Sequence, residues 1–217
     1  MTLITVLRGV CLAAFAVNAC LHLFWKKHGN MTKALILPTI LLCYLTTVQT
    51  VSPIIIGAAA AAWAGDVLLM KSGFRWFTAG GIAFMLGHML FGLSYLPFVQ
   101  AGAVSVPLTA GAAVLYCAVS FVTVWCIRGD TPKNTNGLLL VYLLTNAFMN
   151  VLALVVLQSN HTLPGVMIFA GALLFFISDN ALFFECFHHK KPNLFITVMG
   201  TYIAGVFLIM TGSALMG

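Results

Sequence analysis

Two of the chain's four acidic residues, Asp66 and Asp179, lie in apolar surroundings where a carboxylate is costly. Asp66 sits in Ala64-Gly-Asp-Val-Leu-Leu-Met70, inside a run that begins near Pro53 and meets no other charge until Lys71. Asp179 sits in Gly171-Ala-Leu-Leu-Phe-Phe-Ile-Ser-Asp-Asn-Ala-Leu-Phe183. A carboxylate well inside a bilayer costs about 2.5–3.5 kcal/mol even on lenient insertion scales, so each is a functional candidate. Two nearby carboxylates in a low dielectric share a proton, leaving one as an acid near neutral pH and the other as base or electrostatic partner. His88, Tyr202, Asn146 and Asn150 fall at comparable depth in other apolar runs, and Asn18 lies two turns before Lys26. Such groups orient water or substrate in an enzyme, relay protons in a transporter, or simply hydrogen-bond helix to helix.

Other chemistries find little in this chain. No GxSxG, HExxH, P-loop or dinucleotide fingerprint is present, so serine nucleophiles and nucleotide sites have no support. A zinc site needs three or four protein ligands. Only His88 is deep, with His22 near a membrane edge and His188 and His189 beside lysines, so no metal or cofactor is expected. The six cysteines contain no CxxC pair and lie in or at the ends of apolar runs. They read as small buried side chains rather than a disulfide framework.

The elements that must position these groups are membrane spans. The chain is 62% apolar and only 6% charged, with a mean hydropathy of +1.07, whereas soluble domains carry about 25% charged residues. Eight apolar segments of spanning length occur, near 3–25, 33–50, 53–71, 74–97, 104–127, 136–158, 163–186 and 193–215. The first could be taken for a signal peptide, but its cations follow the apolar run, so it is kept as a span. Short connections predict a single all-α domain over residues 1–217, an eight-helix transmembrane bundle.

Nine of the ten basic residues fall in or beside the loops after spans one, three, five and seven, and only Arg8 does not. The positive-inside rule makes those loops cytoplasmic and puts both termini on the other side. Scattered basic loops also argue against a nucleic-acid surface. Lys33 and Arg75, at helix starts on the cytoplasmic side, are candidate ligands for a lipid phosphate. Glu185 reads as interfacial and solvated. Tyr142, Asn146 and Asn150, four residues apart, form one helical stripe. Gly57 to Gly65 is almost all small residues, and Gly80, Phe84, His88 and Gly92 share a face, so spans three and four are expected to pack closely at the centre. Asp66 to His88 is 22 residues and Asp179 to Tyr202 is 23. That near-match suggests a duplicated four-helix unit bringing the aspartates together across a pseudo-twofold axis.

The motifs Gly65-Asp-Val-Leu-Leu-Met70, Gly80-Gly-Ile-Ala-Phe-Met-Leu-Gly-His88 and Gly171-Ala-Leu-Leu-Phe-Phe-Ile-Ser-Asp179 resemble the YhhN family of multi-span membrane proteins, whose animal members include lysoplasmalogenases. The resemblance runs from Lys33 to the region of Tyr202. It differs at Ala34, where the family has Pro after Lys, and at Gly205, where Gln often follows the Tyr motif. It implies hydrolysis of the vinyl ether bond of lysoplasmalogens to a fatty aldehyde and a glycerophospho-head-group (glycerophosphoethanolamine or glycerophosphocholine). By this match Asp66 and Asp179 occupy the family's two acidic positions, and His88 and Tyr202 fall in its fourth- and eighth-helix motifs.

Vinyl ether hydrolysis suits the residues. Protonation of the β-carbon gives an oxocarbenium-like cation, which water captures. Paired carboxylates manage a similar transition state in glycoside hydrolysis. One aspartate is then the acid, while the other stabilises the cation and directs water. His88, Asn146, Asn150, Asn18 and Tyr202 are expected to orient groups, with the phosphate near Lys33 or Arg75. The lysophospholipid would enter laterally from the membrane: a bacterial inner membrane, or an endomembrane in a eukaryote. The rival reading from another class is a proton-coupled transporter or lipid flippase using the same Asp, His and Tyr groups as a relay.

Overall fold

The structure, a computed structural model, describes residues 3–25, 29–190 and 192–217; the basic residues Lys26, Lys27 and Lys191 lie outside the described residues. Among the described residues there are eight α-helices: α1 Leu3–Phe24, α2 Gly29–Leu45, α3 Pro53–Leu69, α4 Phe74–Ser94, α5 Val106–Ile127, α6 Asn136–Ser159, α7 Leu163–Phe187 and α8 Phe195–Met216. Six are long and apolar enough to cross a membrane, while α2 and α3 are apolar but have 17 residues each. Seventeen residues rise about 26 Å, at the short end of what spans a hydrocarbon core. This is an integral, multi-pass membrane protein.

The entry points into α3, α5 and α7 share one local chemistry. Each has Ser or Thr at the N-cap position (Ser52, Ser105, Thr162) and proline in its first turn. Proline there loses no hydrogen bond, because the first amides of a helix have no internal partner. Gly73 opens α4 at φ 108°, a left-handed conformation that allows the tight turn from α3.

Two helix pairs make the most extensive contacts, α3 with α4 and α7 with α8. Both depend on glycine. A Cβ on Gly171 would stand 2.6 Å from the Gly205 carbonyl oxygen, and one on Gly205 would stand 2.8 Å from that of Gly171. Gly205, where the sequence departs from its resemblance, is thus a backbone-to-backbone crossing point. In α3 and α4, Gly87 lies over Ala58 and Ala62, and Gly65 receives the Phe84 ring. The second halves then cross over: α4 packs on α6, and α8 packs on α2.

The expectation that α3 and α4 form the centre needs correction. α3 turns Ile54, Ala60 and Trp63 outward, and α6, flanked by α4, α5 and α7, is the most enclosed helix. At the end away from Lys33, the connection between α4 and α5 is tied to α6. Asn160 Nδ2 donates to the Phe98 carbonyl (2.6 Å), and the Ser105 amide donates to Gln158 Oε1 (2.7 Å).

Glycine contacts this close make a clear prediction. Gly171→Ala or Gly205→Ala is expected to cost about 1–3 kcal/mol through forced separation of α7 and α8, whereas Gly9→Ala, with open space around it, costs nothing measurable. Thermal unfolding of the detergent-solubilised variants checks this.

Candidate active site

Asp66 is one turn from the end of α3 and is 2% exposed. It has two partners from distant helices. Lys33 Nζ, on α2, lies 3.7 Å from Oδ1, and the Tyr202 hydroxyl, on α8, donates to Oδ2 at 2.5 Å. Asp179, on α7, is 4% exposed. Asn146 Nδ2, on α6, donates to its Oδ2 at 2.6 Å, and His88 Nε2, on α4, lies 3.4 Å from the same oxygen. The Tyr142 side chain reaches this carboxylate too.

The two sets of partners follow one plan. Each aspartate sits on the third helix of its half, with one partner from the second helix of that half and one from the fourth helix of the other. The chemistry of the halves differs. Asp66 faces a cation and a phenol, while Asp179 faces an amide, an imidazole and a phenol, with no lysine or arginine among its described partners.

Both carboxylates line one cavity of about 50 Å³, together with Lys33, Ser178 and Tyr202. One water needs roughly 10–15 Å³, so the cavity holds a few waters and no hydrocarbon chain. Phe84 and Phe175 wall it, edge-on to one another with centroids 6.2 Å apart. Phe175 also lies edge-on to Tyr202 (5.2 Å) and to His88 (4.7 Å). These rings exclude bulk water, which strengthens every charge interaction inside.

An apolar crevice between α4, α6 and α7 adjoins the cavity, sharing Leu69, Phe84 and Leu182 with it. On the other side a larger vestibule of about 430 Å³ shares Lys33, Val198 and Met199 with it. Small cavity, apolar crevice and vestibule are therefore neighbours that share wall residues.

His88 is wholly buried, and among the described residues neither ring nitrogen makes a hydrogen bond. A buried ring whose nitrogens make no hydrogen bond costs about 1–3 kcal/mol, and one kept 3.4 Å from a carboxylate is a candidate to hold water or substrate. Asn150 stands behind the cavity. Its Nδ2 donates to Asn146 Oδ1 (2.8 Å) and to the Asn146 carbonyl (3.0 Å). Those bonds occupy the oxygen of the Asn146 amide and leave its NH2 turned toward Asp179.

Of the expected site residues, Asp66, Asp179, His88, Asn146, Tyr202 and Lys33 come together, and Asn150 supports one of them. Two do not join. Asn18 Nδ2 donates to the Thr32 carbonyl at 3.1 Å, fastening α1 to α2. Arg75 is exposed in the first turn of α4 and does not line the cavity. Helical periodicity explains the miss, since Arg75 shares neither the face nor the depth of His88. Tyr142 was legible only as a member of its stripe; the four-residue step to Asn146 was the signal that it belongs here. Among the described residues, no group of three or more His, Cys, Asp or Glu side chains is arranged to hold a metal ion.

The fold and site define a class: a multi-pass membrane protein with two separately partnered carboxylates in an enclosed, aromatic-walled cavity near one end of the bundle. The model of the YhhN family matches residues 29–213, and the chain belongs to that family. No curated protein and no solved structure matches it. Every residue that lines the cavity lies within the matched region, whereas all of α1, the least enclosed helix, lies outside it.

Tyr202→Phe removes a hydrogen bond to a buried carboxylate and is expected to destabilise the protein by about 1.5–3 kcal/mol. Arg75→Ala, at an exposed position, is expected to change nothing. Melting temperatures of both variants against the parent check the contrast.

Proposed function

We propose that this protein is a membrane-embedded hydrolase that cleaves the vinyl ether bond of lysoplasmalogens, releasing a fatty aldehyde and a glycerophospho-head-group. The observation that carries the reading is the pair of buried carboxylates on one cavity, held by unlike partners and flanked by an apolar crevice. YhhN family membership is consistent with it.

The unlike partners divide the labour. Asp66, beside Lys33, serves as the ionised carboxylate. Asp179, with no cation among its described partners, serves as the acid. Its proton passes to the β-carbon of the enol ether, and the double-bond electrons form the new C–H bond. Positive charge then develops on the α-carbon and ether oxygen, and Asp66 stabilises it electrostatically. A water held near His88 adds to the α-carbon and returns a proton to Asp179. The hemiacetal so formed collapses to aldehyde as the glycerol oxygen leaves with a proton, so no redox equivalent or cofactor enters the balance. The hydrocarbon chain would follow the apolar crevice, whose free volume of about 20 Å³ requires α4, α6 and α7 to part on binding, with the head group toward Lys33. The same reading takes the halves α1–α4 and α5–α8 as copies of one four-helix unit, which accounts for the shared plan of partners.

By the positive-inside rule the vestibule opens to the cytoplasm and both termini lie on the opposite side. Alkaline phosphatase fused after Gly217 is then expected to be active in a bacterial host, and the same enzyme inserted at residues 129–133 inactive.

Aldehyde release from a lysoplasmalogen by the purified protein in detergent tests the chemistry. Asp66→Asn and Asp179→Asn are each expected to lower kcat by about 10²–10⁴, the usual worth of acid–base catalysis, while eluting as the parent does in gel filtration. A stable parent without turnover would sink the substrate assignment. Flux across sealed vesicles with no covalent change would favour the transporter reading instead.

A further inference from the structure

The buried serines Ser94 and Ser120 spend their hydroxyls on their own helices, donating to the Phe91 carbonyl (2.7 Å) and the Tyr116 carbonyl (2.8 Å). Ser178 does otherwise. It is 2% exposed on α7, and it donates across to the Val198 carbonyl of α8 at 2.8 Å. The close crossing of these helices at Gly171 and Gly205 brings that carbonyl within reach. Val198 lies inside α8, where its carbonyl is also served by the helical amide one turn on. Loss of the Ser178 hydroxyl would therefore orphan no backbone group.

That bond fixes which way the hydroxyl points. A carbonyl only accepts, so the single hydroxyl hydrogen is committed to Val198, and the oxygen offers nothing but lone pairs to any other group. Among the described residues no donor bonds to that oxygen. Ser178 nevertheless lines the small cavity beside Asp179, where the hydrogens of Lys33 and Tyr202 are directed at Asp66. Two neighbouring acceptors in so small a space are best satisfied by a molecule with two hydrogens to give. We propose that Ser178 is a further catalytic residue, which with Asp179 holds the attacking water.

The assignment deepens the hydrolase reading and rests on it. Once Asp179 has protonated the enol ether, its carboxylate and the Ser178 oxygen each accept one hydrogen of the same water, whose lone pair faces the cation. The new C–O bond forms as the O–H bond toward Asp179 breaks, and that proton returns to Asp179. Ser178 keeps its own hydrogen on Val198 throughout and is no nucleophile. Paired acceptors also choose what attacks. Water satisfies both, whereas an alcohol has one hydrogen, and its carbon group leaves the second acceptor unpaired.

Turnover of a lysoplasmalogen by the full chain in detergent with added methanol reads this choice. Capture of the cation follows protonation, so the product ratio reports on it whichever step limits kcat. Water yields aldehyde, while methanol yields a methyl acetal heavier than the substrate by one methanol, which mass spectrometry separates. The parent is expected to give mainly aldehyde. Ser178→Ala removes one acceptor and leaves room for a methyl group, so its acetal-to-aldehyde ratio is expected to rise about tenfold. Ser120→Ala, whose hydroxyl bonds within α5, is expected to match the parent. A crystal structure of the parent is expected to show a water bonded to both Ser178 Oγ and Asp179, and it decides the matter should Ser178→Ala fail to fold. An unchanged ratio in a folded Ser178→Ala protein, or no water on Ser178 in the parent, overturns the proposal even where aldehyde is released. A water on both residues without aldehyde release supports the water site and removes the hydrolase instead.

Discussion

A carboxylate enclosed among hydrocarbon and aromatic rings must have its charge met by nearby donors, and this protein meets that demand twice within one cavity. Removing a single partner of such a group is more damaging than the pair is stabilising, because the desolvation cost remains. The demand dictates where helices can lie. Lys33 on α2 and Tyr202 on α8 must converge on Asp66, while Asn146 on α6 and His88 on α4 must converge on Asp179. The packing of α8 on α2 and of α4 on α6 delivers that convergence.

Glycine makes the convergence geometrically possible. Within a membrane no hydrophobic force drives one apolar helix onto another, so close van der Waals packing has to do so. Gly171 against Gly205, and Gly87 against Ala58 and Ala62, bring backbones within reach of one another. With the helices that close, short side chains such as Asp66 and Asp179 can share one small cavity while the longer Lys33, Tyr202 and Phe175 close its sides. Lengthening the approach by a methyl group would move donors relative to acceptors by an amount that hydrogen bonds do not tolerate.

Much of this was legible in the sequence because the signals were strong. A carboxylate such as Asp66 in an apolar run stands out against its background, and basic loops alternating with charge-free ones mark which helix ends belong together. The spacing of Tyr142, Asn146 and Asn150 foretold a common face, and the small residues before Asp66 foretold the tight pairing of α3 with α4. What stayed hidden depended on rotation and on contacts far apart in the chain. Asn18 shares its type and depth with Asn146, and only the direction it faces sends it to Thr32 rather than to the cavity. Nothing local indicated that α6, not α3, would be the enclosed helix, because both are apolar along their length.

The crossed plan of partners also governs how the protein is made. When α3 enters the bilayer, Lys33 has already been synthesised, but Tyr202 lies 136 residues further on. Asp66 therefore waits with Lys33 as its only one of these two partners until the last helix arrives. Asp179 has no such wait, since His88 and Asn146 precede it in the chain. Docking of α8 thus completes the hydrogen bonding of a carboxylate inserted much earlier.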